Sequence, residues 1–308
     1  MNIRPRAVIL LFLVCSASVG LAQFRRHRYS EGPIYYTEGG QMVDERTVKT
    51  AREVPSHSTD TPEWKNPPGF ERDVFTFVRI IRDRDGGGAP TSGSWITDFP
   101  DSDLNLSFRV QQMTSIRVDP NGRVMRITDK DLFRYPFIYM VEPGALSLRD
   151  EEVPILRQYL LNGGFLMADD FWGEWQWEGF AEQMRRVFPE RQFVDIPMDH
   201  PIFNSVFTLH GPLNKLQVPN ERLGAQSQYT GVTWETHPQR DGTLEECTEM
   251  HVRGIYDDKG RIMVLATHNT DNGDGWEREG ENDWFFHEFS EKRSFPLGIN
   301  IIFYVMTH

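Results

Sequence analysis

Residues 157–173, Arg-Gln-Tyr-Leu-Leu-Asn-Gly-Gly-Phe-Leu-Met-Ala-Asp-Asp-Phe-Trp-Gly, pass from an amphipathic segment through a glycine turn into a short apolar run that ends on two carboxylates. Asn162-Gly163-Gly164 is a helix stop, because glycine enters the left-handed conformation without a Cβ penalty. Phe165 to Ala168 is then a strand apolar on both faces, the pattern of a parallel sheet covered by helices. In such a sheet ligands gather beyond the carboxyl ends of the strands. Asp169 and Asp170 therefore stand where a reactive group would be displayed.

The same alternation extends outward in both directions. Val74 to Ile81 is rich in β-branched and aromatic residues and ends in the loop Asp83 to Gly88, so it is predicted as a strand. Asp98, Pro100 and Asp101 open a helix carrying Leu104 and Phe108, and Arg134 to Val141 is a second core strand. A helix from about Asp150 to Leu161 follows, with Pro154 confined to its first turn. Beyond the quoted stretch, Phe180, Met184, Val187 and Phe188 mark a helix stopped by Pro189. Residues 254–266 form a hairpin around Asp257-Asp258-Lys259-Gly260, and Leu297 to Met306 is an apolar, buried helix. Strand and helix in this order predict an α/β fold with a mainly parallel sheet and helices on both faces.

Arg4 and Arg6, the apolar run Ala7 to Val14 and the small-residue exit Ser18 to Ala22 have the layout of a cleaved secretory signal. The expected organisation is a signal peptide over 1–22, a flexible lead-in or linker over 23–70, and one α/β domain over 71–308. The mature protein is expected to be exported, periplasmic or extracellular, after cleavage near Ala22. No segment is long and apolar enough to cross a bilayer. The signal holds two arginines and no acid, which leaves 31 basic against 45 acidic residues, a net −14. Such a field repels phosphate backbones and excludes a nucleic-acid partner. Cleavage leaves Cys247 as the mature chain's one cysteine, so no internal disulfide is expected, and its acidic neighbours suppress the thiolate.

Four groups of residues carry candidate chemistry. Asp169 and Asp170 are adjacent on a strand and point to opposite faces, so only one serves a given site, as metal ligand, general base or structural cap. Asp199-His200-Pro201-Ile202 offers His200 beside a carboxylate, either as a base pair or metal ligand, or as a rigid turn. Residues 268–277 are dense in oxygen ligands, Asp271, Asp274 and Glu277 among them. An EF-hand register fails there, because Thr270 falls where a carboxylate is required, which leaves a solvated turn or another cation site. Trp172 and Trp175 flank the paired aspartates and form a candidate aromatic platform for a sugar, with core packing as the alternative. No cofactor motif is present: Gly86-Gly87-Gly88 lacks the dinucleotide spacing and no Walker lysine exists. Hard oxygen ligands admit a divalent cation.

Trp95 to Leu104, Asn162 to Leu166 with Asp169-Asp170, Asp199 to Ile202, and Leu297-Gly298-Ile299-Asn300 to His308 together resemble the bacterial domain-of-unknown-function family 4159, over about Phe75 to His308. The resemblance implies a flavodoxin-like α/β domain, similar in fold to class I glutamine amidotransferases and trehalose-utilisation-like proteins. In the amidotransferase pattern a cysteine occupies the elbow after the strand. Here Ala168-Asp169-Asp170 stands in that place, and a carboxylate cannot form the thioester of a glutaminase. The expected role is an exported domain that binds a ligand or protein partner. The alternative is an extracytoplasmic hydrolase acting on a glycan or related substrate, with the same residues as metal ligands or as an acid/base pair.

Overall fold

A computed structural model of the chain describes residues 34–58, 60–69, 73–82 and 94–308. The signal segment and the Gly86 to Gly88 loop lie outside the described residues. The strands are β1 (Ile34–Tyr36), β2 (Met42–Asp44), β3 (Val78–Ile80), β4 (Arg123–Met125), β5 (Phe137–Val141), β6 (Phe165–Phe171), β7 (Val194–Asp195), β8 (Thr236–Pro238), β9 (Leu244–Glu246), β10 (His251–Tyr256) and β11 (Ile262–His268). The helices are α1 (Asp101–Met113), α2 (Glu152–Leu161), α3 (Gly173–Val187), α4 (Glu221–Thr230), α5 (Asn272–Glu277), α6 (Asp283–Phe285) and α7 (Phe295–Thr307), with a π-helical stretch Phe286–Ser294 leading into α7.

Seven strands form one sheet in the order β4-β3-β5-β6-β11-β10-β7. The first five are parallel, β10 runs antiparallel to them, and β7 pairs antiparallel with β10 at the edge. Across the sheet the parallel strands, numbered along the chain, lie in the order second, first, third, fourth, fifth. Period-two alternation sorts the core into two layers. Phe137, Tyr139 and Val141 of β5 meet Leu106 and Val110 of α1 and Leu297 and Ile301 of α7. Ile138 and Met140 meet Leu156 and Leu160 of α2 and Phe180 and Met184 of α3. Among the described residues no helix is long and apolar enough to cross a membrane.

The turn at residues 162–164 forms as predicted. Gly163 has φ of 105°, and a Cβ on Gly164 would lie 2.3 Å from the Tyr159 ring. Tyr159 in turn donates its hydroxyl to the Tyr135 carbonyl at 2.9 Å. Gly164→Ala is expected to destabilise the protein by about 2 kcal/mol, as an overpacked core site does. A urea midpoint unchanged by the substitution would contradict this packing.

Residues 34–58 differ from the expected flexible lead-in. Val43, Val48, Ala51 and Val54 are buried with Ile81, Trp95, Phe99, Leu104 and Val124. The segment also docks through its backbone, Ala51 N to Asn121 O at 3.0 Å and Val124 N to Lys49 O at 2.9 Å. Its few apolar residues are spaced irregularly, so no periodicity announced a buried face. The expected solvated turn at residues 268–277 is also corrected, since every residue from His268 to Glu277 is buried. It folds into α5, whose Trp276 enters the core and donates to the Ser294 carbonyl at 2.9 Å.

Candidate functional site

Because β3, β5, β6 and β11 are parallel, their carboxyl ends share one edge of the sheet, and a cavity of about 320 Å³ opens there. It is lined by Asp98, Glu142, Asp170, Glu235, Asp271 and Asp274, with Trp172, His237 and the exposed Arg222 on its walls. Asp98, Glu142 and Asp170 all have left-handed backbone, with φ of 61°, 47° and 55°. Each such non-glycine residue costs roughly 1–2 kcal/mol. Backbone strain of this kind concentrates at sites where side chains must be aimed.

The two adjacent aspartates face different ways, Asp170 leaving the strand in left-handed backbone. Asp169 turns away from the cavity and is saturated: it accepts from Asn272 N (3.0 Å), Gly273 N (3.1 Å), Asn272 Nδ2 (2.8 Å), Tyr139 Oη (3.2 Å) and Thr267 Oγ1. It therefore caps the amino terminus of α5, a structural role. Burial raises its pKa to about 6, against the pull of those donors. Asp170 turns into the cavity, where Trp172 Nε1 donates to it at 2.8 Å.

Asp98, Asp170 and Asp271 each offer a carboxylate oxygen within 4.8 Å of the others, and all three are buried. Two such charges repel by about 3 kcal/mol at an effective dielectric of about 20. Burial first, then the neighbouring acids, hold all three carboxyls well above the ordinary carboxylate range. Among the described residues no ion pair reaches any of the three.

A second group, Asp98, Asp274 and Glu277, lies alongside but is already compensated. Arg278 Nε stands 2.8 Å from Glu277 and 3.4 Å from Asp274. His57 Nε2 meets Glu277 at 2.8 Å while its Nδ1 meets Asp101 at 2.9 Å. The hydrogen bonds to these carboxylates raise the His57 pKa to about 10. Burial raises Glu277 to about 8 and Asp274 to about 6. Every one of these raised groups, acid or base, contributes stability that is complete below its unfolded pKa and is lost as pH rises through the folded value. In divalent-free buffer the unfolding midpoint should therefore fall between pH 5 and pH 9. A midpoint that rises over that range would contradict the raised values of Glu277 and His57.

Of the residues singled out in the sequence, Asp170, Asp271, Asp274 and Trp172 line the cavity, and Glu277 stands directly behind it. Trp175 is half-buried and is not part of the cavity wall, and Trp172 is buried with its ring stacked at 5° on His237, so the core-packing alternative describes the aromatic pair. His200 does not join the site. Its Nδ1 accepts from Ile202 N at 3.2 Å, and its ring packs 5.4 Å from Tyr304, which itself packs on Phe165, the first residue of β6. That is the amino edge of the sheet, opposite Asp170, and the rigid-turn alternative describes it. Cys247 is buried, and burial with Glu245 and Glu235 lifts its thiol to about 12, so it is no nucleophile.

The family model described as Domain of unknown function (DUF4159) matches residues 77–306. The chain belongs to the DUF4159 family. No curated protein matches it. The DUF4159 match contains every carboxylate of the cavity wall except Glu38, which reaches it from the turn after β1 and pairs with Arg278. Sequence reading missed Glu38, His57, Asp98, Glu142 and Glu235 as site residues. Asp98 had left a trace, since Thr97-Asp98-Phe99-Pro100 belongs to the motif shared with the DUF4159 family, but there it served as a helix start.

Proposed function

We propose that this chain is an exported α/β domain with the flavodoxin-like strand order of class I amidotransferase-like proteins. On this reading it binds a small, hydroxyl- or amine-rich ligand such as a sugar in the carboxyl-edge cavity, without glutaminase chemistry. The observation that carries the reading is the cavity wall itself: a ring of acceptors at the carboxyl edge. The order second, first, third, fourth, fifth of the parallel strands agrees with a flavodoxin-like sheet, whose ligands bind at that edge. An elbow that carries Asp169 as a buried cap, together with a buried, unreactive Cys247, supports the loss of amidotransferase catalysis.

The binding test is the shift in unfolding temperature and in tryptophan fluorescence on adding glucose, glucosamine, N-acetylglucosamine or sorbitol. Saturable shifts weakened in Glu235→Gln are the expected result. Absence of any shift across the set, or ammonia release from glutamine, would overturn it. Mass spectrometry of the protein purified from bacterial periplasm should show a chain starting near Gln23, and an intact Met1 start would remove the export claim.

One observation favours the hydrolase reading as a second possibility. Asp170, a carboxyl whose pKa burial raises well above the ordinary range, opens into the same cavity, which suits a general acid. Turnover of an aryl glycoside abolished by Asp170→Asn would establish it. Binding without turnover leaves the domain a binding module.

A further inference from the structure

We infer that Asp98, Asp170 and Asp271 hold one hard divalent cation, and that the ligand completes its coordination through its own oxygens. This rests on the binding reading above and names what the cavity needs in order to bind. The three carboxylates are 1%, 7% and 4% exposed, and one oxygen of each lies within 4.8 Å of the others. The neighbouring group built from Asp98, Asp274 and Glu277 has Arg278 and His57 as its counter-charges. The first group has none among the described residues, so its compensation must come from solution, as protons or as a metal.

A second observation points the same way. Asp98 Oδ2 is buried and has no hydrogen-bond partner among the described residues, a costly state for a carboxylate oxygen. The fold makes room for that oxygen, since a Cβ on Gly273 would lie 2.0 Å from it. The other two carboxylates each spend one oxygen on the protein, Asp170 on Trp172 Nε1 at 2.8 Å and Asp271 on Asp274 N at 2.7 Å. Their second oxygens accept no hydrogen bond from the described residues.

Three carboxylates with no nitrogen or sulfur donor select a hard ion such as Mg²⁺ or Mn²⁺ over zinc or copper. An octahedral ion held by three protein oxygens keeps about three positions for water and ligand. The three carboxylates line the open cavity, which gives a ligand access to them. A ligand with neighbouring hydroxyls can place two oxygens on the ion and donate its remaining hydroxyls to Glu142 and Glu235.

The test uses Mn²⁺ as the probe. The chelator-treated mature protein is titrated with MnCl₂ while the paramagnetic resonance of the free ion is followed. One equivalent of saturable binding is expected in the wild-type protein. Asp98→Asn and Asp170→Asn should each weaken it by at least about 30-fold. Gly273→Ala, which leaves all three ligands in place but crowds Asp98, should weaken it as well, and Glu178→Gln on the exposed face of α3 should not. Circular dichroism confirms that each variant is folded. No saturable binding up to millimolar Mn²⁺, or binding that survives both Asp170→Asn and Gly273→Ala, overturns the inference. The sugar titrations repeated in chelator separate the two claims. Shifts lost in chelator and restored by Mn²⁺ support both. Shifts that persist in chelator sink the cation while leaving the ligand, and Mn²⁺ binding with no sugar shift sinks the ligand while leaving the cation.

Discussion

Asp169→Ala is expected to lower the free energy of unfolding by about 4 kcal/mol, because it leaves several buried donors without an acceptor. The carboxylate at this position ties together β6, β5 through Tyr139, β11 through Thr267 and the first turn of α5. No other acceptor stands ready for the Asn272 and Gly273 amides, and the environment is dry, with Asp169 wholly buried. Its neighbour behaves in the opposite sense. Asp170→Ala removes a desolvated acid crowded by Glu142 and Glu235, a gain that offsets the one buried donor it strands, Trp172 Nε1, so in metal-free buffer it should change stability by less than about 1 kcal/mol. Equilibrium urea unfolding of the pair checks both. If the two substitutions cost the same, the division of labour between these aspartates is wrong.

Arg79→Met should be of similar size, about 4 kcal/mol, the usual consequence of stranding one partner of a buried ion pair. The Arg79 guanidinium, fully buried in β3, donates through Nε to both oxygens of Asp103 at 3.0 Å, through Nη2 to Ser102 Oγ at 2.8 Å, and through Nη1 to the carbonyls of Trp95 and Thr97 at 3.0 and 2.8 Å. It also lies over the Tyr139 ring, 5.1 Å from its centroid. The two carbonyls belong to the turn that delivers Asp98, so the substitution should reduce Mn²⁺ affinity along with stability. Arg79→Met combined with Asp103→Leu should recover much of the stability, since no charge is then left uncompensated, yet not the affinity, because the turn remains untied. Recovery of both would show that Arg79 acts on Asp103 alone.

The sheet was legible because its determinants are local. Phe137 to Val141 and Phe165 to Ala168 are apolar runs bounded by turn residues, and Pro154, Gly163 and Pro189 mark helix limits that the structure reproduces. The site was less so, because it depends on which distant segments meet. Asp170 and Asp271 were found from their place after a strand and within an oxygen-rich stretch, whereas Asp98 reads equally well as a helix start, and only the folded turn aims it inward. His200 misled for the converse reason. An imidazole next to an acid carries the same signal at either edge of a sheet, and nothing within Asp199-His200-Pro201 states which edge it will occupy. The burial of residues 268–277 was hidden by composition, since a run of Asn, Asp, Thr and Gly signals solvent unless a buried acceptor such as Asp169 supplies its partners.

The stretch shared with the family begins at residue 77, but the cohesive unit begins earlier. A protein trimmed to the shared stretch would lose the imidazole facing Glu277, the carboxylate beside Arg278, and the small apolar patch around Val43, Val48 and Ala51 that covers Trp95 and Phe99. Arg278 would keep Glu277, Asp274 and Glu281 but lose the Glu38 carboxylate. The segment ahead of the family boundary thus braces the wall of the pocket, fixing Arg278 through Glu38 and Glu277 through His57.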